Sequence, residues 1–180
     1  AAGIEEGGHP LNDDVTTMVL TPRIKDVCKV PVVTVGGIAD GRSMAAAMVL
    51  GADGVMMATR FVATKECEVH DNIKQDLLKR HENDTALICK SIGLQGRAIR
   101  NRVVEDVLAL EAKGCGFEDL LPLISGKRVQ EAWETGNVDL APMMMGQSVG
   151  LVNDVPTCKE LIERMAKEAK EEISRVSGLL

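Results

Sequence analysis

Of the three histidines in this 180-residue chain, only His9 stands in a glycine-rich run, directly after Gly7-Gly8. An imidazole is the natural general base near neutral pH, and flanking glycines let a substrate approach closely. A lone histidine without further context is also commonly structural, so both readings stand at this level. His70 and His81 lie among charged residues in helical sequence and are expected to face solvent. Two further points can hold an anion. Gly36-Gly37 follows an apolar run and offers bare backbone N–H groups, and Ala58-Thr59, after a second such run, can add amides and a hydroxyl. Adjacent strand ends that share one phosphate are a device of barrel enzymes near their last strands. Either pair on its own marks no more than a tight turn. Glu5 and Glu6 are adjacent, would point apart in an extended loop, and are left unassigned. No H-E-x-x-H, G-x-S-x-G or Walker A pattern is present, and no metal site is expected.

These residues need elements to position them. Thr17 to Cys28 has helical spacing through Val19, Leu20, Ile24 and Val27, after a turn expected at Asn12-Asp13-Asp14. Val30 to Val35 is short, β-branched and apolar throughout, as in a parallel strand buried on both faces, with Pro31 tolerated at its start. A helix follows from near Ser43, then a turn at Gly51-Ala52-Asp53, a strand over Gly54 to Ala58, and a loop opening at Thr59-Arg60-Phe61. Strand, glycine turn, helix, strand is a βαβ unit with a right-handed crossover. From Glu68 onward the pattern reads as helical. One helix carries Ile73 and Leu77, another Val103, Val104, Val107 and Leu108, and a third, around Val129, Ala132 and Trp133, ends at Gly136. The last opens on the capping box Thr157-x-x-Glu160 and carries a stripe of Leu161, Met165, Ala169 and Ile173, with Glu160–Arg164 and Glu163–Lys167 as expected ion pairs. Met143-Met144-Met145 cannot all face one way; it reads as an apolar connector filling a gap, with a loop over a flat ligand as the other reading.

Composition narrows the classes. The net charge is −6 and aromatics are 2% of residues, so neither the basic footprint nor the stacking surface of a nucleic-acid binder is present. No apolar run approaches the ~20 residues of a bilayer span, and no signal-peptide pattern opens the sequence. Five scattered cysteines without a C-x-x-C pair point to reduced thiols and a cytoplasmic setting. Two convincing strands fall short of a closed (β/α)8 barrel, which takes ~200 residues at least. The expectation is therefore the C-terminal part of a larger protein, or half of an assembly.

Gly3-Ile4-Glu5-Glu6-Gly7-Gly8-His9 resembles the G-x-E-x-G-G-H signature of the nitronate monooxygenase family, which the flavin-dependent enoyl-acyl-carrier-protein reductases share. Thr16-Thr17, Val30 to Val35, Gly36 to Arg42, Gly51-Ala52-Asp53, Thr59-Arg60-Phe61, Lys65-Glu66 with His70, and Gly146-Gln147 before Gly150-Leu151 continue the match in order. The resemblance implies an α/β fold: the C-terminal portion of an FMN-binding (β/α)8 TIM barrel plus a C-terminal helical segment. Residues 1–66 would hold the end of strand 6 and strands 7 and 8, and residues 67–180 the mostly helical segment packed on them. It implies His9 as the base that takes a proton from a nitroalkane. Gly37, Ala58 and Thr59, with Gly36 and Met57 alongside, would hold the FMN phosphate by backbone groups. Gly7 would pass the flavin, and Gln147 would lie near the cofactor. Two departures stand out: the stretch Pro10-Leu11-Asn12-Asp13-Asp14 follows the histidine where the family has a nearby glycine, and Ala58 replaces the family's glycine before Thr-Arg-Phe.

The implied activity is oxidation of alkyl nitronates with O2. An NAD(P)H-dependent enoyl-acyl-carrier-protein reductase of the same fold is the alternative. A further alternative is an inactive or partner-dependent barrel fragment that needs the missing barrel half or a homo-oligomer.

Overall fold

The structure, a computed structural model, describes residues 1–10 and 14–179; Leu11, Asn12 and Asp13, and with them most of the expected turn and of the stretch after His9, lie outside them. Helix α1 (Thr17–Val27) leads to strand β1 (Val33–Val35), helix α2 (Gly41–Val49) and strand β2 (Gly54–Met56). β1 and β2 pair in parallel with Val35 opposite Met56. Ala2 adds a parallel bridge to Val35, and the Gly3 N–H donates to the Val35 carbonyl at 3.0 Å, so the stretch before the glycine-rich loop runs alongside β1. The βαβ unit therefore stands as expected.

Its strands are shorter than the apolar runs, and one expectation about them fails. Only one face of this sheet is packed: the Thr34 hydroxyl meets that of Thr21 on α1 at 3.0 Å in a buried pair, and Val55 lies against Ile38 and Leu161. On the other face Val33 is 49% and Met56 57% exposed. Burial on both faces needs a second layer, and none packs there among the described residues.

Local chemistry fixes the helix starts. Asp40 caps α2, accepting from the Ser43 N–H at 2.8 Å, while the Ser43 hydroxyl accepts from the Asp40 N–H at 3.1 Å. Burial raises the Asp40 pKa, but the bonds from Ser43 and Arg42 outweigh it and hold the carboxyl below its usual range. Thr59–Phe61, expected to open a loop, forms a short helix, α3 (Thr59–Val62), directly after β2.

After α4 (Asp71–Leu77) the chain departs from the all-helical expectation. Strands β3 (Thr85–Ile88) and β4 (Gly96–Ile99) form an antiparallel hairpin, with Thr85 opposite Ile99. Helices α5 (Arg102–Lys113), α6 (Phe117–Ile124) and α7 (Gly126–Thr135) follow, and α7 ends as read at Gly136, in the left-handed region at φ +72°. Helix α8 (Cys158–Ser177) opens on the Thr157–Glu160 capping box and lies along α2, burying Leu161, Met165 and Ala169, while Ile173 emerges at the surface. Its ion pairs differ from those expected: Arg164 turns back to Asp154, and Lys159–Glu163 and Lys167–Glu171 form instead. The methionine run fills a gap. Met143 and Met145 enter one core cluster, and Met144 packs against the other, built on Ile88, Val104 and Leu120.

Candidate functional site

The glycine-rich loop is held from several directions. Past the pairing with β1, the Glu5 carboxylate accepts from the Thr17 N–H at 3.1 and 3.0 Å and from the Thr17 hydroxyl, which anchors the loop to the start of α1. Glu5 is thus a helix cap. Glu6, half-buried beside it, has its pKa raised by burial.

Gly7 sits where no side chain fits. A Cβ there would lie 2.5 Å from the Gly146 nitrogen, and a Cβ on Gly146 would lie 2.5 Å from the Glu5 carbonyl oxygen and 2.8 Å from the Gly7 nitrogen. The two backbones are in direct contact. The Gln147 N–H donates to the Glu5 carbonyl at 2.9 Å, and the Gly146 N–H donates to the buried Thr59 hydroxyl at 2.9 Å. Gly7, Thr59 and Gln147, scattered over the sequence, thereby meet in one junction around Gly146. The sequence offered the Thr59 hydroxyl to an anion; in the structure that hydroxyl accepts from the Gly146 N–H.

The two strand ends stand side by side. Gly36 (φ +104°) and Gly37 (φ +73°) turn the chain at the end of β1, and the β1–β2 register brings Met57 and Ala58 level with them on a neighbouring strand, at a spacing of about 4.8 Å. Gly36 is buried, with Glu6 N and Gly3 O each 3.2 Å from where a Cβ would stand. At Gly37 a Cβ would be in ordinary contact with the Glu5 side chain, at 3.9 and 4.0 Å. The N–H groups of Gly37 and Thr59 donate to nothing among the described residues. Two such donors at adjacent parallel strand ends fit a phosphate group. Ala58 adopts φ −116°, which an L-residue takes without strain, so the alanine leaves this turn undistorted. Met57 is half-buried against the core cluster that contains Ile38 and Leu161.

His9 follows at the exposed end of the glycine-rich loop, after Gly8 at φ +93°. A cavity of about 660 Å³ reaches Gly36 and Gly37 between α1, α2 and the end of α8, with Glu5, Thr17, Arg42 and Ser43 at its polar end; His9 does not line it. The structure therefore brings Gly7, Thr59 and Gln147 together at Gly146, sets Gly36 and Gly37 beside Met57 and Ala58, and leaves His9 separate from that cavity. His70 and His81 are exposed as expected, and the His70 Nδ1 accepts from the Asn72 N–H at 3.1 Å to cap α4. Among the described residues no cluster of side chains is arranged to hold a metal ion.

Arg97 was not anticipated from the sequence. It lies on β4, 7% exposed, and its backbone forms an antiparallel bridge with Gly8. Its signal was present but faint: one four-residue strand after the turn residues Asn83-Asp84 and a second after Gly93.

The nitronate monooxygenase family model matches residues 1–168. The chain is 31% identical to a (3aS,4S,5R,7aS)-5-hydroxy-7a-methyl-1-oxo-octahydro-1H-indene-4-carboxyl-CoA dehydrogenase of Rhodococcus jostii, over 98% of this chain and 60% of that protein. It is 34% identical to a probable nitronate monooxygenase of Staphylococcus aureus, over 87% of this chain and 46% of that one. Among solved structures it superposes on FabK from Thermotoga maritima with a TM-score of 0.93 and 34% identity, covering all of this chain and 56% of the other. The chain thus spans about half the length of the relatives it matches.

Proposed function

Because this chain belongs to the nitronate monooxygenase family and carries an α/β portion of its TIM barrel, we propose that it is the FMN-phosphate-binding and proton-transfer part of a flavin-dependent oxidoreductase acting on alkyl nitronates with O2. The observation that carries this reading is the pair of free N–H groups of Gly37 and Thr59 at neighbouring strand ends, locked to the Gly7 loop through Gly146. Bound there, FMN would supply the two-electron chemistry that no side chain offers.

The chain's own residues do the rest. Gly37 and Thr59 donate to the phosphate, with Gly36, Met57 and Ala58 setting the turn geometry. Gly7 lets the loop pack directly on the Gly146 backbone, which holds the loop where it passes the flavin, and Gln147 borders it from the connector. His9 takes the α-carbon proton of a neutral nitroalkane onto its imidazole, leaving the nitronate anion; a substrate supplied as the nitronate skips that step. The exposed position of His9 suits a base reached by a small molecule.

A second reading, redox chemistry on a thioester with NAD(P)H, draws on the Rhodococcus relative, whose name describes a carboxyl-CoA dehydrogenase. Bleaching of bound flavin by NADH without substrate would favour it. A third role, a partner-dependent barrel portion completed by the missing half or a second copy, draws on the open sheet face at Val33 and Met56. A reduced, cytoplasmic setting is supported by five free cysteines, and among the described residues no helix is long and apolar enough to cross a membrane.

The test is substrate discrimination. His9→Ala should lower turnover of neutral nitroalkane at least ~100-fold while changing nitronate turnover by less than ~5-fold. Equal losses on both would remove His9 from the base role.

A further inference from the structure

The loop that ends in His9 carries glycines at positions 3, 7 and 8, and such a sequence does not hold one conformation by itself. Its first half is fixed by β1, by Thr17 and by the Gly7–Gly146 contact. The residue next to His9 is held from the other side of the molecule. The Arg97 N–H donates to the Gly8 carbonyl at 2.7 Å, and the Gly8 N–H donates back to the Arg97 carbonyl at 3.2 Å. A single bridge of this kind, at an edge and beside a glycine at φ +93°, is weak by itself.

The Arg97 side chain reinforces it. Nε donates to the Ile4 carbonyl at 2.9 Å and Nη1 to the Thr85 hydroxyl at 3.0 Å. The guanidinium thereby ties the entry of the loop to β3, while the Arg97 backbone ties its exit to β4. Among the described residues Arg97 forms no ion pair, although burial lowers its pKa and the nearby Glu5 carboxylate partly restores it. A buried guanidinium without a paired carboxylate is a costly way to fill space. What sets this position apart is its planar fork, which reaches a loop carbonyl and a strand hydroxyl together.

We propose that Arg97 is a positioning residue for His9, holding the Ile4–Gly8 loop against the β3–β4 hairpin so that the imidazole keeps its place. This rests on the reading of His9 as the base. The hairpin then belongs to the working site and is more than an insertion in the helical part of the chain.

The test combines amide exchange with substrate discrimination. In Arg97→Gln the Gly8 N–H should exchange at least ~10-fold faster, while the Ser43 N–H in the α2 cap stays unchanged. In the FMN-loaded protein the same variant should lose ~10- to 100-fold on neutral nitroalkane and less than ~3-fold on nitronate, as expected for a misplaced base. Arg97→Lys keeps the cation without the fork and should show the same pattern at smaller size, which serves if the glutamine variant does not fold. A folded Arg97 variant with unchanged Gly8 exchange, or with equal losses on both substrates, overturns the positioning role and leaves His9 untouched. Should His9→Ala itself lower both substrates alike, the base reading falls and the proposal with it.

Discussion

The β1–β2 sheet and the β3–β4 hairpin invert what their sequences suggest. Val33-Thr34-Val35 is apolar at two of three positions, yet Val33 is half-exposed. Gly96-Arg97-Ala98-Ile99 contains an arginine and is buried at every position. Burial follows what packs against a strand more than the strand's own polarity. β1 and β2 have helices on one face only, whereas the hairpin is enclosed by α5, the methionine connector and the glycine-rich loop. The two regions also give the site different things. The parallel strands end in N–H donors that have no acceptor among the described residues, and the hairpin supplies a fixed cation that grips the loop.

The contrast predicts unequal costs of truncation. Ile99→Ala, in the fully buried strand, should destabilise by about 3–4 kcal/mol, while Val33→Ala should stay within about 0.5 kcal/mol, both read from denaturant midpoints. Equal costs would mean that the open face of β1 is covered in solution.

A mutation that breaks the junction comes next. Gly146→Ala forces a Cβ against the Glu5 carbonyl and the Gly7 backbone, and should cost about 2–3 kcal/mol and weaken FMN uptake. The same substitution at Gly126, where a Cβ meets nothing within 4 Å, should be neutral or slightly stabilising in a thermal melt.

Electrostatics supply a third test. Arg60, 1% exposed, donates from Nη2 to Asp154, which Arg164 also grips. The bonds from Arg164 first, against a desolvation penalty and helped by Arg60, hold the Asp154 carboxyl below its usual range. A lowered folded-state pKa gives stability that is present above about pH 3.9 and lost as pH falls through the folded value. Asp154→Asn should therefore cost about 2 kcal/mol at neutral pH, below the ~3–5 of a wholly buried pair because Asp154 is partly exposed, and its stability should fall less below pH 4 than that of the wild type.

The smallest expected effect sharpens the role of Thr59. Thr59→Val removes the acceptor for the Gly146 N–H and should cost about 1–2 kcal/mol, whereas Thr59→Ser keeps the hydroxyl and should retain the junction. If valine and serine behave alike in stability and FMN uptake, the hydroxyl is not what ties the strand end to the connector.

Much of this was legible in the residues. The capping box at Thr157 and Glu160, the glycine stop at Gly136 and the βαβ unit all rest on chemistry within a few positions, where spacing alone speaks. What could not be read depends on partners far along the chain. Thr59 meets Gly146 across 87 positions, and Arg97 meets Ile4 across 93. Glu5 gave no local sign that it would cap a helix beginning twelve residues later. Arg164 was expected to pair along its helix with Glu160 but takes two bonds to Asp154 in the preceding loop, a stronger arrangement than a single exposed i,i+4 contact. The hairpin escaped because its strands are four residues long and carry no alternation.

A phosphate cradle at the ends of β1 and β2 must tell ligands apart by their phosphate. Titrating the chain with FMN and with riboflavin, which differ by the phosphate, tests it most directly. FMN should saturate at one per chain with amide shifts at Gly37 and Thr59, and riboflavin should bind at least ~10-fold more weakly, the margin of one or two charge-assisted hydrogen bonds. Equal affinity for the two, or FMN binding without a response at those amides, would rule out the cradle.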